Sequence, residues 1–375
     1  MLVGIDASRV QAEGRTGTEA YSFYLIRELL RLGAPHRFRL YFREERFVGL
    51  FVPDPERWEA RVIPFPRLWT HVRLSWEMAQ RPPDALFVPA HVLPLVHPRR
   101  SVVTVHDLGY LCFPEAHRPL ERWYLHWSTR FNGRAAARVL AVSETTKADL
   151  VRHYGVPPGK VRVVYPGLRE EVEPVEDEER VREVLARHGV RRPYFLSVGT
   201  LQPRKNLLRL VRAYARFAAE EGDGARPLLV LAGKPGWQHE LLVQEVGRLG
   251  LTGEVLFLGY VEDADLPALY TGALAFVFPS LYEGFGLPLV EAMACGTSLG
   301  ASSTSACGEV AGDAALLVDP LAEGEIARAL ARVARDADLR AALAARGRER
   351  ARAFSWERAA QEVLDVLTSL ADLPA

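Results

Sequence analysis

Short apolar runs rich in β-branched residues alternate with amphipathic stretches along nearly the whole chain, and no other feature narrows the fold as much. In the first half the runs fall at 2–7, 38–42, 61–65, 85–88, 102–105, 139–142 and 161–164; in the second they fall at 194–198, 228–232, 255–258, 275–278 and 315–318. The stretches between them read as helices; Leu207, Leu208, Val211, Tyr214 and Phe217 mark one apolar helical face. Alternating strands and helices build parallel sheets covered on both faces, so the expected fold class is α/β. At 375 residues the chain is too long for one ordinary core and suits two domains. The pattern breaks at Tyr165-Pro166-Gly167, and an acidic, strand-poor segment follows. The expected domains are therefore 1–168 and 169–354, with a terminal helix at 355–372 capped by Ser355.

Charge excludes some partners. Lys+Arg and Asp+Glu are 47 each, so no global field favours nucleic acid. No apolar run approaches the roughly 18 residues that span a bilayer. The first residues read as a strand rather than a signal peptide, so a cytoplasmic protein is expected, with contact at the inner face of the membrane as an addition. Cys112, Cys295 and Cys307 have neither disulfide nor metal-ligand spacing and are expected to be reduced, structural thiols.

In open parallel sheets ligands bind beyond the carboxyl ends of strands, so the residues after each strand carry the information. After the first comes Gly14-Arg15-Thr16-Gly17-Thr18, either a backbone cradle for an anion or a plain loop. After the fifth come His106 and Asp107, which either polarise a substrate hydroxyl or form a backbone-tied imidazole beside a turn-capping carboxylate. Pro203-Arg204-Lys205-Asn206 puts two cations near a strand end, where they can neutralise a diphosphate or sit as a solvated pair. Asn206 is expected to cap the next helix.

The segment from Phe278 to Pro288 then joins a strand to a helix, with Gly284 and Gly286 freeing the backbone. Glu283 and Glu291 are eight residues apart, about two turns if both are helical, which would put Glu283 at the mouth of a site and Glu291 deeper. Carboxylates suit paired sugar hydroxyls. Asp263-Ala264-Asp265 has the form of a metal-binding D-x-D, but its place before an apolar stretch favours helix capping.

These residues resemble those of glycosyltransferase family 4. The stretch Glu283-Gly-Phe-Gly-Leu-Pro-Leu-Val-Glu291 is similar to that family's E-x7-E signature, and Val105-His106-Asp107, Pro203-Arg204-Lys205-Asn206, Leu231-Ala232-Gly233-Lys234 and Phe257-Leu258-Gly259-Tyr260-Val261 extend the resemblance over nearly the whole chain. It implies the GT-B fold: two Rossmann-like domains facing each other across a cleft, an acceptor side in the first, a nucleotide-sugar side in the second, and a C-terminal helix crossing back to the first. It implies a retaining transferase that moves a hexose from a UDP-, GDP- or ADP-linked donor to a saccharide or lipid-linked acceptor, with no metal or other cofactor.

The same resemblance implies roles residue by residue. Glu291 would bind the ribose hydroxyls and Glu283 the transferred sugar. Arg204 and Lys205 would neutralise the diphosphate. Backbone at Gly284, Phe285, Gly286 and Leu287 would contact sugar and phosphate, and backbone at Tyr260 and Val261 would read the base edge. His106 would touch the donor sugar or shape the acceptor side, and Gly17 would let the first domain approach the phosphates. Thr200 stands where many relatives carry an Arg, so Arg204 is expected to supply that charge. Two alternatives stay open: an epimerase or phosphorylase on the same architecture, and a non-catalytic sugar-nucleotide binding protein.

One stripe concerns partners. Arg118, Arg122, His126, Arg130, Arg134 and Arg138 recur every four residues, with Trp123, Tyr124, Trp127 and Phe131 between them. The sharper reading is a basic, aromatic face that meets anionic lipid. The plainer one, preferred here, puts the aromatics in the core and the arginines in water.

Overall fold

The computed structural model describes residues 1–10, 17–90, 92–221 and 226–371. The chain divides into two compact units, Met1–Gly167 with Phe354–Ala375, and Leu168–Ala353.

In the first unit the strands are β1 (Leu2–Asp6), β2 (Arg37–Phe42), β3 (Trp58–Val62), β4 (Ala85–Val88), β5 (Ser101–Val105), β6 (Arg138–Ala141) and β7 (Val161–Val163). They form one seven-stranded sheet in the order β3-β2-β1-β4-β5-β6-β7, and every neighbouring pair is parallel. β3 begins three residues before the expected run at 61–65, because Trp58 pairs with Phe38 and buries its ring in place of Phe65. Val3, Ile5, Leu86, Val88, Val103 and Val139 are fully buried on the sheet's two faces.

The last helix, Trp356–Ser369, belongs to this unit. Ser355 caps it by accepting the Arg358 N–H at 3.0 Å. Trp356 stacks on Tyr24 with ring centres 5.7 Å apart, against the helix Gly17–Leu32. Gly167 permits a close approach here: a Cβ on it would meet the backbone nitrogen of Trp356 at 2.1 Å.

The second unit holds β8 (Tyr194–Val198), β9 (Leu228–Ala232), β10 (Val255–Gly259), β11 (Ala275–Phe278), β12 (Leu299–Ser302) and β13 (Ala315–Val318). These form a six-stranded sheet in the order β10-β9-β8-β11-β12-β13, again parallel throughout. β12 was not expected. The helix Leu207–Glu221 packs Leu210, Val211, Tyr214 and Phe217 onto this sheet, with Phe217 edge-on to Phe195 at 5.5 Å. Each such fully buried side chain contributes about 1.5–3 kcal/mol.

Candidate active site

The site in the second unit is built from two loops at the carboxyl ends of its strands. After β8 the chain makes a short 3-10 turn, Pro203–Lys205. After β11 it runs through an irregular segment into the helix Leu287–Ala294. The two are stapled together: Leu281 N–H donates to the Arg204 carbonyl at 2.9 Å. Asn206 does not act as a simple cap. Its amide nitrogen donates to the carbonyls of Pro279 at 3.0 Å and Pro320 at 2.6 Å, tying three loops into one block.

That block brings three of the expected residues into one cluster. Lys205 Nζ donates to Glu283 Oε1 at 2.7 Å, and Arg204 Nη1 donates to Glu283 Oε2 at 2.8 Å and to the Tyr282 carbonyl at 3.0 Å. Lys205 also lies 4.5 Å from the centre of the Phe278 ring, a cation–π contact. Burial works against charge on Glu283, but Lys205 and Arg204 outweigh it and hold the carboxyl below its ordinary value. Glu283 is ionised at neutral pH.

Two expectations change. The cations are not a loosely exposed pair, since Lys205 is largely buried and both are spent on a buried carboxylate. Nor is Glu283 helical: the helix starts at Leu287, after Gly286 at φ 103°, a left-handed conformation only glycine adopts readily. Glu283 and Glu291 are both buried, and no continuous helix of the kind from which the mouth-and-depth arrangement was inferred joins them. Gly284 and Phe285 are buried beside Glu283, and Leu287 is half-buried as the first helical residue.

Glu291 belongs to a second cluster. It accepts from Arg169 Nη2 and from the Tyr270 hydroxyl, each at 3.0 Å. The same guanidinium reaches Asp263 at 2.7 Å, next to the Tyr260-Val261 segment. Tyr260 is exposed, with Lys234 Nζ 4.4 Å from its ring centre, and Val261 is buried. Arg169 has no counterpart among the expected site residues. Its position between the break at Tyr165-Pro166-Gly167 and the acidic segment gives no local sign of a partner 122 residues away.

The D-x-D carboxylates are not helix caps. Asp265 precedes the helix Leu266–Gly272 but makes no side-chain cap; it pairs with Arg187 at 2.8 Å and His188 at 2.9 Å. A largely buried carboxylate needs strong donors, and the Arg187 guanidinium and the His188 ring supply them. Among the described residues no group of three or more His, Cys, Asp or Glu gathers as a metal-ligand set.

In the first unit His106 follows β5. Its Nε2 donates to the Pro89 carbonyl at 2.9 Å, its ring meets Tyr21 edge-on at 4.7 Å, and burial pushes its basicity down. Asp107 accepts the Gly109 N–H at 2.8 Å. This is the backbone-tied imidazole and turn-capping carboxylate of the plainer reading. A carbonyl only accepts, so Nε2 carries the proton and Nδ1 of the neutral ring is left as an acceptor. Gly17 is exposed at the start of its helix, while Gly14, Arg15 and Thr16 lie outside the described residues.

The arginine-rich stripe falls on the helix Pro119–Ala135. The preferred reading fails for its first turns: Leu120 is 82% exposed, Trp123 65% and Tyr124 39%. Only the later turns bury, through Ser128, Thr129, Asn132 and Gly133. Tyr124 is hydrogen-bonded to His71 at 2.8 Å, which sets the helix beside the segment 68–76, where Leu68, Val72 and Trp76 are also exposed.

The profile described as Glycosyl transferases group 1 matches residues 180–350, and the profile described as Glycosyltransferase Family 4 matches residues 15–172. The chain is 33% identical over 266 residues to O-antigen chain mannosyltransferase B of Escherichia coli, covering 71% of this chain and 69% of that protein. The chain belongs to glycosyltransferase family 4. It is also 35% identical over 246 residues to D-inositol 3-phosphate glycosyltransferase of Salinispora tropica, covering 62% of this chain but only 50% of that protein. Two solved structures share the fold of this glycosyltransferase. The Anabaena protein HepE in complex with UDP and glucose has a TM-score of 0.74 at 20% identity, over 99% of this chain and all of that one. Sucrose-phosphate synthase from Thermosynechococcus elongatus has a TM-score of 0.76 at 20% identity, over the full length of both. The family 4 membership and the GT-B class expected from the sequence are thereby established.

Proposed function

We propose that this glycosyltransferase is a retaining hexosyltransferase that takes a nucleoside diphosphate sugar as donor and a saccharide or lipid-linked acceptor, in glycan, polysaccharide or glycolipid synthesis. The observation that carries the reading is the Arg204–Lys205–Glu283 cluster. When the bond from the sugar's anomeric carbon to the phosphate oxygen breaks, negative charge grows on the diphosphate and positive charge on the ring. Arg204 and Lys205 would stabilise the first and the Glu283 carboxylate the second. Glu291 would hold the ribose, oriented by Arg169 and Tyr270. The Glu283 carboxylate is held by Arg204 and Lys205 rather than free as a nucleophile, which favours attack by the acceptor hydroxyl from the face the diphosphate leaves, with the leaving phosphate taking its proton.

The relatives support parts of this by name: one is a mannosyltransferase, and HepE was solved with UDP and glucose and also with UDP-glucose. The donor would be UDP-, GDP- or ADP-linked, and no divalent metal or other cofactor is proposed. Exposed Leu120, Trp123 and Tyr124 among arginines favour peripheral contact with an anionic membrane at the cytoplasmic face. The experiment is a donor screen: incubate with UDP-, GDP- and ADP-linked glucose and mannose, measure hydrolysis and thermal shift, then follow the anomeric configuration of transferred product. An epimerised donor formed without acceptor, a requirement for inorganic phosphate, or binding without any turnover would each replace this reading with one of its alternatives.

A further inference from the structure

Asp6 ends β1, an interior strand of the first unit's sheet, at the edge where ligands of parallel sheets bind. The residue is 2% exposed. Its Oδ1 accepts the Ser8 N–H at 2.9 Å, but its Oδ2 is buried with no hydrogen-bond partner. Among the described residues it is the one buried carboxylate oxygen left so. A buried carboxylate oxygen without a partner is costly, and it calls for a partner such as an ordered water, an ion or a ligand hydroxyl.

What could complete it is limited. A metal ion would need several ligands, and no group of three or more His, Cys, Asp or Glu gathers among the described residues. The charge of Arg9 favours the ionised carboxyl, as the smallest of the influences on it, and Arg9 makes no hydrogen bond to Oδ2. Burial pushes Asp6 up to about 6, which still leaves it ionised and able to accept at neutral pH. β4 lies between β1 and β5, and His106 from the end of β5 reaches back to the carbonyl of Pro89, just past β4. Asp6 and the His106 ring therefore flank the end of one strand, separated by about two strand spacings, roughly 10 Å. Two acceptors at that separation suit a molecule that presents several hydroxyl groups.

We propose that Asp6 recognises the acceptor: its Oδ2 accepts a hydrogen bond from one hydroxyl of a polyhydroxylated acceptor, while Nδ1 of His106 is available to another. This rests on the glycosyltransferase function proposed above and assigns the acceptor side of that reaction to a residue the donor cluster does not include.

The test separates acceptor recognition from donor chemistry. Asp6→Asn and Asp6→Ala are compared with the unaltered protein for donor hydrolysis without acceptor, nucleoside diphosphate binding, melting temperature, and transfer to methyl α-mannoside and to myo-inositol as soluble probes. Both variants should hydrolyse donor and bind nucleotide within about twofold of the parent and melt no lower. Their KM for whichever probe is used should rise at least about tenfold, the range for one charge-assisted hydrogen bond. An unchanged KM overturns the proposal, and so does a lowered melting temperature in both variants, which would make Asp6 structural. A parent protein that hydrolyses donor but transfers to neither probe also counts against it. Absence of donor hydrolysis in the parent instead removes the transferase function on which it rests.

Discussion

Lys205 Nζ and Glu283 Oε1 are 2.7 Å apart and both largely buried, so the cation expected to meet a diphosphate is already neutralised in the free protein. Arg204 closes the other side of the same carboxylate at 2.8 Å. Glu283 thus keeps two positive charges aimed and desolvated before donor arrives, a preorganised arrangement that costs little to use during reaction. The stabilisation has a definite pH sign. The folded-state pKa of Glu283 lies below its ordinary 4.5, so its contribution is complete above that value and is lost as pH falls through the depressed one.

Lys205→Ala should therefore damage both stability and turnover. Removing one partner of a buried pair leaves Glu283 to Arg204 alone and should cost about 1–3 kcal/mol by urea unfolding. The same change should lower kcat/KM by a factor on the order of 10², the range for one preorganised charge donor. Adding Glu283→Gln to Lys205→Met should recover much of the stability without recovering activity. Wild-type kinetics for Lys205→Ala would remove the diphosphate assignment.

Asp6 carries the opposite sign. Its folded pKa is raised from 3.8 to about 6, so ionising it in the fold is unfavourable, and stability is lost as pH rises between those values. Asp6→Asn should consequently be more stable than the parent by about 1–3 kcal/mol at neutral pH, and equal to it near the lower value. Chemical denaturation across that range measures the difference; a variant less stable at neutral pH would show that the carboxylate has a native partner.

The strand pattern was legible because most strands are β-branched or aromatic runs bounded by clear breaks. β12 was not, since Leu299-Gly300-Ala301-Ser302 is a strand only by its parallel pairing with β11 and β13. Its small residues bear no β-propensity signal, and register supplies what composition lacks. The Arg204–Lys205–Glu283 cluster was legible as a set of residues but not as an arrangement. Arg204 and Lys205 stand 78 and more positions before Glu283, and nothing local says that the cations point at that carboxylate. The same holds for Arg169 with Glu291. For Trp123 and Tyr124 the helical period is plain in the sequence, but which face meets the core depends on how the helix Pro119–Ala135 sits, and its first turns stand clear of it.

Chelation should leave transfer intact. Asp263 is paired with Arg169, and Asp265 with Arg187 and His188, so neither carboxylate is available as a D-x-D ligand without breaking an ion pair. Transfer assayed in excess EDTA should stay within about twofold of the untreated rate, with Arg204 and Lys205 doing the neutralising. Loss of activity that manganese or magnesium restores would reverse this.

Leu120→Ser with Trp123→Ser should weaken binding to phosphatidylglycerol vesicles at least about tenfold, as two exposed apolar anchors are removed. Transfer to a soluble acceptor should not change. Equal vesicle binding by the double variant would mean the exposed turns face water alone.

The two glutamates should fail in different ways. Glu291 sits in its own cluster with Arg169 and Tyr270, and under the proposed function it meets the ribose, a part of the donor that does not change during transfer. Glu291→Gln should weaken nucleoside diphosphate and donor alike, by about 1–3 kcal/mol in calorimetric affinity, the signature of uniform binding. Glu283 is different: under the same proposal the donor phosphates would meet Arg204 and Lys205, which Glu283 already binds. Glu283→Gln removes that competitor, so nucleoside diphosphate should bind as well as before or more tightly. Turnover should collapse nonetheless, because the charge that would face the reacting sugar under the proposed function is gone. Calorimetry and steady-state kinetics on both variants decide between the roles. If Glu283→Gln loses nucleotide affinity while Glu291→Gln keeps it, the two clusters have been assigned to the wrong ends of the donor. If both variants turn over normally, neither carboxylate takes part in transfer and the charges of the Arg204–Lys205–Glu283 cluster serve the fold alone.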